Sequence, residues 1–325
     1  MASLADIILA LKRAERVLIC GHVMPDGDCL GSVLALGLAM ERLGKKVTMA
    51  GPDPVPEIFS FLPGAERFLV GKPPPGAYDT LIALDCPSKN RLGKYYCDMV
   101  NEDLVIINID HHTGTESFGT YTYIAPQAAA VGEIIFDLFK MMNIKIDLDI
   151  AICLYTAIFT DTGSFKYDNV TPDTHRRVAE LLEIGVSTMH INTKVHEEKP
   201  MEAILLIGAA INTLSVSPCG KVGWMVVTRD MFHRTGADDE HAEGLINYAR
   251  SLKDVEVGLF FHELKQDEYK ISFRSKSYVN VNELAALFGG GGHRRAAGCV
   301  MNGELNMIKE KIITAAVLAS RGSPE

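Results

Sequence analysis

Short apolar segments alternate with longer segments of helical period through the first two-thirds of this chain. RVLIC (16–20), KVTMA (46–50), DTLIALD (79–85) and DLVIINID (103–110) have the length and composition of strands. The last two are continuous apolar runs, which is typical of strands buried on both faces of a parallel sheet. CLGSVLALGLAMERLG (29–44), AAAVGEIIFDLFKMM (128–142) and DLDIAICLYTAIFTD (147–161) have the length of helices. The alternation predicts an α/β domain with a mainly parallel sheet.

The pattern changes in the more polar segment from Val186 to Pro200. Beyond it, KVGWMVVT, VEVGLFFHE and YKISFRS have the composition of strands, and helical segments are expected around 240–250, 281–288 and 304–320. This mixture predicts a second, smaller α+β domain. We therefore expect a first domain over 1–187, a linker over 188–203 and a second domain over 204–325.

The chain has 325 residues and a formal net charge of −9. The first 204 residues hold 27 acidic and 18 basic side chains, which accounts for the whole excess. This balance argues against a protein that grips long nucleic acid through a broad basic face. It allows a phosphate-bearing substrate if positive charge is supplied locally, for example by cations bound to some of the acids.

Seven cysteines occur without a CxxC pair, and their number is odd. Reduced thiols in a cytoplasmic protein are the natural interpretation. The first residues, MASLADIILALKRAER, read as an amphipathic helix and not as a secretion signal. Apolar stretches reach only about nine residues, too short to cross a bilayer, so no membrane segment is expected.

Aspartate and histidine stand at the ends of four predicted segments. They are His22, Asp26 and Asp28 after the first strand, Asp85 after the third, Asp110, His111 and His112 after the fourth, and Asp161 at a helix end. A single aspartate in such a place is more often a helix cap or turn residue. Several carboxylates gathered at one sheet edge, however, repel one another unless cations neutralise them. Carboxylates with imidazoles suit Mn²⁺ and related ions, and the number of ligands fits two ions about 3.5–4 Å apart.

These residues resemble the four motifs of DHH-family phosphoesterases: His22-x-x-x-Asp26-x-Asp28, a strand-end Asp85, Asp110-His111-His112 and Thr160-Asp161-Thr162-Gly163. In the second domain, NVNELA (280–285), FGGGGH (288–293) and AAG (296–298) resemble the DHHA1 domain. Size and domain content are most similar to the nanoRNase/pAp phosphatase group, the bifunctional oligoribonucleases and PAP phosphatases. The resemblance implies a DHH catalytic domain facing a DHHA1 substrate-binding domain across a cleft.

The resemblance also assigns roles to the strand-end residues. It implies that His22, Asp26 and Asp85 hold one Mn²⁺, and that Asp28, Asp85, His111 and Asp161 hold the other. In the family, Asp110 orients a histidine and His112 lies near the scissile phosphate. A water activated by the metals would then serve as the nucleophile.

The second domain is expected to hold the substrate. Arg274, Ser275, Gly290, Gly291, Gly292 and His293 are the predicted contacts, and Arg91 of the first domain is a weaker one. A glycine run taken alone is as often a flexible connector, but Phe288 before it and a small-residue helix expected after His293 favour a built loop. Glycine amides can approach a phosphate closely, and the arginine supplies charge.

The resemblance implies hydrolysis of short oligoribonucleotides and pApA-type dinucleotides, and possible removal of a phosphate from 3′-phosphoadenosine-5′-phosphate. Three alternatives stay open: a RecJ-like single-strand exonuclease, a cyclic-dinucleotide phosphodiesterase and a non-catalytic nucleotide sensor. A RecJ-type enzyme would need a further OB-fold, whereas about 30 residues follow the GGGGH segment. A DHHA2-type pyrophosphatase would lack the GGGGH pattern. Homodimers are common in such families, so a homodimer also remains open.

Overall fold

The computed structural model describes residues 1–74, 78–100 and 103–321. The chain forms two compact units, Met1–Glu198 and Lys199–Glu325. The division falls within the segment predicted as a linker. That segment is largely helical, since it contains Thr188–Asn192, a π-helical turn over Thr193–Glu197 and the start of Met201–Ile211.

The first unit contains a six-stranded sheet surrounded by helices. Its elements are α1 (Leu4–Arg13), β1 (Arg16–Cys20), α2 (Gly27–Arg42), β2 (Lys46–Gly51), β3 (Leu69–Val70), β4 (Thr80–Leu84), α3 (Lys94–Met99), β5 (Val105–Asp110), β6 (Tyr121–Ile124), α4 (Val131–Met142), α5 (Leu148–Asp161), α6 (Pro172–Ile184) and α7 (Thr188–Asn192). The strand order is β3-β2-β1-β4-β5-β6 and all pairs are parallel. The predicted parallel α/β architecture is therefore confirmed.

The strand order reverses direction between β1 and β4. From β1 the chain adds β2 and β3 on one side, and β4, β5 and β6 on the other. The loops that follow β1 and β4 therefore diverge and leave a crevice at the carboxyl ends of these strands. In open α/β sheets this crevice is the usual place for a ligand.

Helices α2 and α5 pack closely because small residues stand at their contact. A Cβ placed on Gly31 of α2 would lie 2.5 Å from the Cys153 carbonyl oxygen of α5. Gly132 of α4 meets the same helix, and a Cβ there would lie 2.6 Å from the Ala157 Cβ. These close approaches fix the relative positions of the ends of α2 and α5, where Asp28 and Asp161 lie.

The second unit contains a separate mixed sheet. Its elements are α8 (Met201–Ile211), β7 (Ser215–Val216), β8 (Val222–Val227), α9 (Arg229–Thr235), α10 (Ile246–Ser251), β9 (Val257–Lys265), β10 (Glu268–Ser275), α11 (Val281–Ala286), β11 (Gly291–Gly292), β12 (Ala296–Asn302) and α12 (Leu305–Ala319). The order is β11-β12-β10-β9-β8-β7, in which β8 and β9 pair in parallel and the other pairs are antiparallel. The expected α+β character of this region is confirmed.

The prediction of a helix after His293 was wrong. Residues Ala296–Asn302 form β12, which pairs along its whole length with β10. Ala297 and Cys299 are buried on one face of this strand and Val300 is exposed on the other. Pairing with β10, and not the intrinsic preference of alanine and glycine, decides the conformation here.

Within residues 1–74, 78–100 and 103–321, no helix combines the length and the apolar character needed to cross a membrane.

Candidate metal centre

The loop after β1 and the start of α2 supply three of the predicted ligands. His22 lies two residues beyond β1 and is buried. Asp26 caps α2, since its carboxylate accepts a hydrogen bond from the Cys29 backbone N–H at 3.0 Å. Asp28 lies in the first turn of the helix and is fully buried. The capping role noted as the ordinary explanation for an isolated aspartate thus holds for Asp26, without moving it away from the crevice.

Asp85 follows β4 and faces His22 across the switch point. Its Oδ2 lies 3.3 Å from His22 Nε2, which in turn lies 3.8 Å from Asp26 Oδ2. The ligand atoms of these three residues all lie within 4.8 Å of one another. Asp85 has a φ of 55°, in the left-handed region, where aspartate is more often tolerated than most residues. Strained backbone of this kind is concentrated at functional sites.

A second group gathers around His111, immediately after β5. Its Nε2 lies 3.3 Å from Asp161 Oδ2, 3.6 Å from Asp85 Oδ1 and 3.8 Å from Asp28 Oδ2. The ligand atoms of Asp28, His111 and Asp161 again lie within 4.8 Å of one another, as do those of Asp85, His111 and His112. Four chain segments that are distant in sequence therefore meet at one edge of the sheet, with Asp85 between the two groups.

Backbone amides at the start of α4 hold the Asp28 carboxylate. The Val131 N–H donates to Oδ2 at 2.6 Å, and the Gly132 N–H donates to Oδ1 at 2.9 Å. The Ser32 hydroxyl, one turn along α2, adds a hydrogen bond of 3.0 Å to Oδ1. A helix N-terminus stabilises negative charge, so these donors orient the Asp28 carboxylate towards the crevice. The residue types of Val131 and Gly132 carry no signal for this contact, because the donors are backbone amides.

Asp110 contacts His112. Its Oδ1 lies 2.8 Å from His112 Nδ1, and its Oδ2 accepts a hydrogen bond from the Thr115 hydroxyl. Thr115 Oγ1 also lies 2.9 Å from the His112 carbonyl oxygen, so the single hydroxyl proton can be shared between the two acceptors. Asp110 is fully buried, so these contacts fix the ring of His112 at the edge of the site. The sequence analysis did not identify Thr115, because one threonine in a polar loop has no distinguishing pattern.

The residues at this edge fit a divalent cation. Among the described residues, no donor is hydrogen-bonded to the buried Oδ1 of Asp85. His111 Nδ1 lies 3.0 Å from the Ala128 carbonyl oxygen, which can only accept, so Nδ1 carries the proton. In the neutral ring Nε2 then presents a lone pair towards three carboxylates. An orphaned carboxylate oxygen and an imidazole lone pair that point into one space are satisfied together by a cation.

The electrostatics of the cluster also indicate that it would bind a cation. Burial, together with the charges of Asp85 and Asp161, raises the pKa of Asp28 well above its ordinary range. Burial alone would lower the pKa of His22, but hydrogen bonds and charges from Asp26 and Asp85 raise it to about 11. The neighbouring carboxylates likewise outweigh burial at His111 and raise its pKa to about 9. These shifts indicate that the cluster favours additional positive charge, which a bound cation would supply.

Arg91 lies beside the first group of ligands. Its Nη2 is 3.0 Å from His22 Nδ1, and its carbonyl oxygen accepts a hydrogen bond of 2.7 Å from the Val23 N–H. The 3₁₀ helix Lys89–Leu92 carries it there, a short distance along the chain from Asp85. A permanent positive charge is therefore positioned at the same edge as the carboxylates.

The predicted substrate contacts of the second unit lie at one end of its sheet. Arg274 and Ser275 end β10, where Arg274 is opposite Ala296 and the Ser275 N–H donates to the Arg295 carbonyl oxygen at 3.1 Å. Arg274 itself donates from Nη1 to the Phe273 carbonyl oxygen at 3.1 Å. Ser275 is only 1% exposed, and its hydroxyl has no hydrogen-bond partner in the described part of the chain.

The glycine run is an ordered hairpin and not an open connector. Gly291 and Gly292 form β11, which pairs with Gly298 and Ala297 of β12. His293 closes the turn, since its N–H donates to the Ala296 carbonyl oxygen at 2.7 Å. Gly290 has no room for a side chain, because a Cβ there would lie 2.2 Å from the Gly298 carbonyl oxygen. The hairpin places His293 next to the ends of β10 and β12.

Each of the two units matches a known protein family. The family model described as "DHH family, N-terminal domain" matches residues 16–158, and the DHHA1 domain matches residues 222–317. The chain is 31% identical over 318 residues to the bifunctional oligoribonuclease and PAP phosphatase NrnA of Thermus thermophilus, covering 97% of this chain and 93% of that one. It is 25% identical over 297 residues to the protein of the same name from Bacillus subtilis, covering 90% and 91%.

A solved structure is similar over both units. The crystal structure of an exopolyphosphatase-related protein from Bacteroides fragilis matches with a TM-score of 0.89 and 25% sequence identity, covering 98% of this chain and 97% of that one. The matched domains, the identity to the Thermus relative over nearly the whole length and the shared fold lead to one assignment. The chain belongs to the DHH family of phosphate-ester hydrolases and carries a DHHA1 domain.

Proposed function

We propose that this protein is a Mn²⁺-dependent, two-metal phosphoesterase that hydrolyses short oligoribonucleotides and removes a phosphate from 3′-phosphoadenosine-5′-phosphate. One observation carries the proposal: two groups of carboxylate and imidazole ligands lie side by side at the switch point, with Asp85 reaching both. The names of the Thermus and Bacillus relatives supply the substrate classes. The ligand set consists of carboxylate oxygens and imidazole nitrogens, which suits Mn²⁺ among the divalent ions.

The two groups of residues would hold one ion each. His22, Asp26 and Asp85 would hold the first, and Asp28, Asp85, His111 and Asp161 the second. When bound, two such ions lower the pKa of a coordinated water and neutralise charge on the phosphate oxygens. The residues of the chain orient this site: α4 amides fix Asp28, the Ala128 carbonyl fixes His111, and Asp110 fixes His112.

Two cationic groups are placed to meet the substrate in the first unit. His112 Nδ1 lies 3.4 Å from Asp85 Oδ1, and the His112 side chain is partly exposed. Its ring therefore lies between the two groups of ligands and the solvent. We assign it to the scissile phosphate. Arg91, beside His22, offers a guanidinium for a phosphate oxygen at the same edge. Neither residue is needed as a nucleophile if water attacks the phosphorus.

The second unit would bind the remainder of the nucleotide. Arg274 supplies charge at the end of β10, and the Gly290–Gly292 segment with His293 forms a hairpin beside it. Ser275 would serve as a hydrogen-bond donor only if its buried hydroxyl becomes accessible. We retain 1–187 as the catalytic domain, 188–203 as the linker and 204–325 as the substrate-binding domain.

Location and assembly complete the proposal. All seven cysteines are free thiols, and five of them are buried, which fits a reducing cytoplasm. The expected homodimer stays a prediction, which light scattering during size-exclusion chromatography would test.

A Mn²⁺ assay with five substrates tests the function. It compares the dinucleotide pApA, a five-nucleotide RNA, a thirty-nucleotide RNA, cyclic di-AMP and 3′-phosphoadenosine-5′-phosphate. We expect rapid turnover of the dinucleotide, the short RNA and the bisphosphate. Preferential cleavage of the long strand would favour a RecJ-like exonuclease, and preferential cleavage of the cyclic dinucleotide would favour a cyclic-dinucleotide phosphodiesterase. Tight binding without any turnover would favour a sensor.

Two substitutions test the site within the same assay. Asp110→Ala and His111→Ala should abolish all activities together, because the substrates share one centre. His233→Ala is the matched control, since His233 is an exposed histidine of α9 in the other unit. Full activity in either site variant would show that the catalytic centre lies elsewhere.

A further inference from the structure

The chain leaves α5 through an unusual left-handed turn. Gly163, Ser164 and Phe165 have φ values of 56°, 61° and 63°. Glycine adopts such values readily, whereas serine and a bulky aromatic residue rarely do. Two consecutive non-glycine residues in this region are a source of strain that surrounding contacts must offset. The turn begins directly after Asp161 and Thr162, at the end of the helix that brings Asp161 to the metal groups.

Buried contacts hold one side of the turn. Phe165 packs against Tyr155 and Phe159 of α5, with ring centroids at 6.0 and 5.9 Å. The buried Thr162 hydroxyl accepts a hydrogen bond of 3.1 Å from the Phe165 N–H. The Ser164 N–H donates to the Phe159 carbonyl oxygen at 2.8 Å. These contacts orient Phe165 inwards and leave the Ser164 side chain on the other side.

His196 holds that other side. Its Nε2 lies 2.8 Å from the Ser164 hydroxyl, and its ring packs on Phe159 with centroids 5.5 Å apart. His196 belongs to the π-helical turn Thr193–Glu197, a rare conformation that recurs at functional sites. Two uncommon backbone conformations therefore meet at one hydrogen bond, which we name the Ser164–His196 latch. Both residues lie within the first unit.

The turn is also tied to the loop that orients His111. Asn169, at the far end of the same loop, donates from Nδ2 to the Asp161 carbonyl oxygen at 3.1 Å and to the Ala129 carbonyl oxygen at 3.2 Å. Ala129 adjoins Ala128, whose carbonyl oxygen fixes His111. The two ends of the segment from Asp161 to Asn169 are thus hydrogen-bonded to each other, and the Ser164–His196 latch holds the middle of the segment.

The position of the Asp161 carboxylate depends on the backbone at the end of α5 more than the position of the Asp28 carboxylate does. The Asp28 carboxylate is held by two amides and a hydroxyl, whereas the Asp161 side chain is 31% exposed and lies 3.3 Å from His111 Nε2. A shift in the end of α5 would therefore move the Asp161 carboxylate relative to His111.

We propose that the Ser164–His196 latch positions Asp161 for metal binding, so that Ser164 and His196 are positioning residues for one of the two ions. This inference rests on the proposed metal centre. It assigns the latch no contact with the substrate and no direct contact with the metal. Loss of the latch should therefore lower the affinity for one ion selectively. The affinity for the other ion and the KM for substrate should stay unchanged.

Titration of the full-length protein with Mn²⁺ alone, followed by calorimetry and electron paramagnetic resonance, tests the latch. We expect Ser164→Ala and His196→Ala each to weaken one Mn²⁺ per chain by about tenfold, the usual effect of losing a residue that orients a ligand. The double variant should be no weaker than either single variant, because both remove the same bond. His190→Ala is the matched control, since His190 lies on the adjacent α7 and packs on Phe61.

Two further variants separate positioning from general damage. Ser164→Gly removes the hydroxyl but also relieves the strain at this φ, so it should retain Mn²⁺ more tightly than Ser164→Ala. His196→Gln keeps a polar nitrogen near Nε2 and should restore much of the affinity. In Ser164→Ala and His196→Ala, kcat should fall at limiting Mn²⁺ and recover at saturating Mn²⁺, which an unfolded or misfolded protein would not do.

The outcomes separate the latch from the proposed function. If the wild-type chain binds Mn²⁺ and Ser164→Ala and His196→Ala bind both ions with unchanged affinity, the latch is refuted and the metal centre stands. Equal weakening of both ions, or Ser164→Gly binding more weakly than Ser164→Ala, also refutes the latch. A wild-type chain that binds no Mn²⁺ refutes the metal centre itself, and the latch with it.

Discussion

The Oδ1 atom of Asp85 lies 3.6 Å from the Nε2 atom of His111, yet no donor in the described part of the chain is hydrogen-bonded to it. The other oxygen of the same carboxylate is 3.3 Å from His22 Nε2. One buried carboxylate therefore faces both groups of ligands. Such a carboxylate would bridge two ions. In the described part of the chain, the groups that lie against its negative charge are the imidazoles of His22, His111 and His112.

Asp85→Asn should remove Mn²⁺ binding and lower activity by more than about 100-fold, the upper range for losing a residue that only orients a ligand. Asparagine tolerates the left-handed backbone at this position, so the fold should persist. Mn²⁺ calorimetry and the dinucleotide assay measure the effect. Asp79→Asn makes the same change just before β4, where Asp79 accepts bonds from the Glu15 and Arg16 N–H groups, and should retain binding and activity. Wild-type behaviour of Asp85→Asn would exclude a bridging role.

The strands that carry the site could be predicted because they are buried on both faces. The five residues of β4 are all buried, so burial of an apolar run in a parallel sheet determines their composition. Strand β12 could not be predicted in this way. Its small residues, beginning Ala296-Ala297-Gly298, have no strand preference, and only the partner strand β10 fixes their conformation.

The same distinction applies to the candidate site. The strand-end aspartates and histidines have a chemical signature, and their motifs indicated which segments would meet. The groups that orient them are less visible in sequence. The Val131 and Gly132 amides and the Ala128 carbonyl belong to the backbone, which is present at every position. The left-handed conformation of Ser164 likewise has no signature in the residue type.

Gly31→Ala should destabilise the first unit by about 1–3 kcal/mol and lower activity, because an added methyl group cannot be accommodated against the backbone of α5. The new Cβ would lie 2.5 Å from the Cys153 carbonyl oxygen, so α2 and α5 must separate and move Asp28 relative to Asp161. Thermal unfolding and Mn²⁺ calorimetry measure the two effects. Gly208→Ala in α8 is the control, since a Cβ there meets nothing within 4 Å and should stabilise the helix by up to about 1 kcal/mol. Unchanged stability and Mn²⁺ affinity in Gly31→Ala would show that this helix contact does not set the site.

Arg274→Ala should raise the KM for the dinucleotide by about tenfold or more while kcat changes little, as expected when a charged hydrogen-bonding group that binds substrate is lost. Steady-state kinetics at saturating Mn²⁺ measure both constants. Lys276→Ala provides the control for charge, because its ammonium group is bonded to the Leu252 and Lys253 carbonyl oxygens. An Arg274→Ala enzyme with wild-type KM would remove this residue from the substrate-binding set.

Glu256 should make the stability of the second unit depend on pH. It is buried, and its carboxylate accepts hydrogen bonds from the Ser277, Tyr278 and Val279 N–H groups at 2.8–3.2 Å and from the Ser277 hydroxyl at 2.8 Å. Burial by itself would raise the pKa of Glu256, but these donors outweigh burial and lower the pKa below its ordinary value of 4.5. The ionised form is therefore the one that the fold stabilises. The resulting stability is present above pH 4.5 and is lost as the pH falls through the lowered folded-state pKa.

Glu256→Gln should lower the free energy of unfolding of this unit by about 1–3 kcal/mol at neutral pH, because an uncharged amide satisfies fewer of the donors. The difference from the wild type should shrink as the pH falls from 4.5 towards the lowered folded-state pKa, since Glu256 is then protonated first in the unfolded chain and finally in the folded one. Urea unfolding followed by the fluorescence of Trp224, the single tryptophan, reports on the second unit because this residue lies in β8. Glu283→Gln changes an exposed carboxylate of α11 and should alter stability by less than about 0.5 kcal/mol at every pH. A difference between Glu256→Gln and the wild type that stays constant from neutral to acidic pH would contradict the assignment, since the hydrogen bonds would then not depend on ionisation.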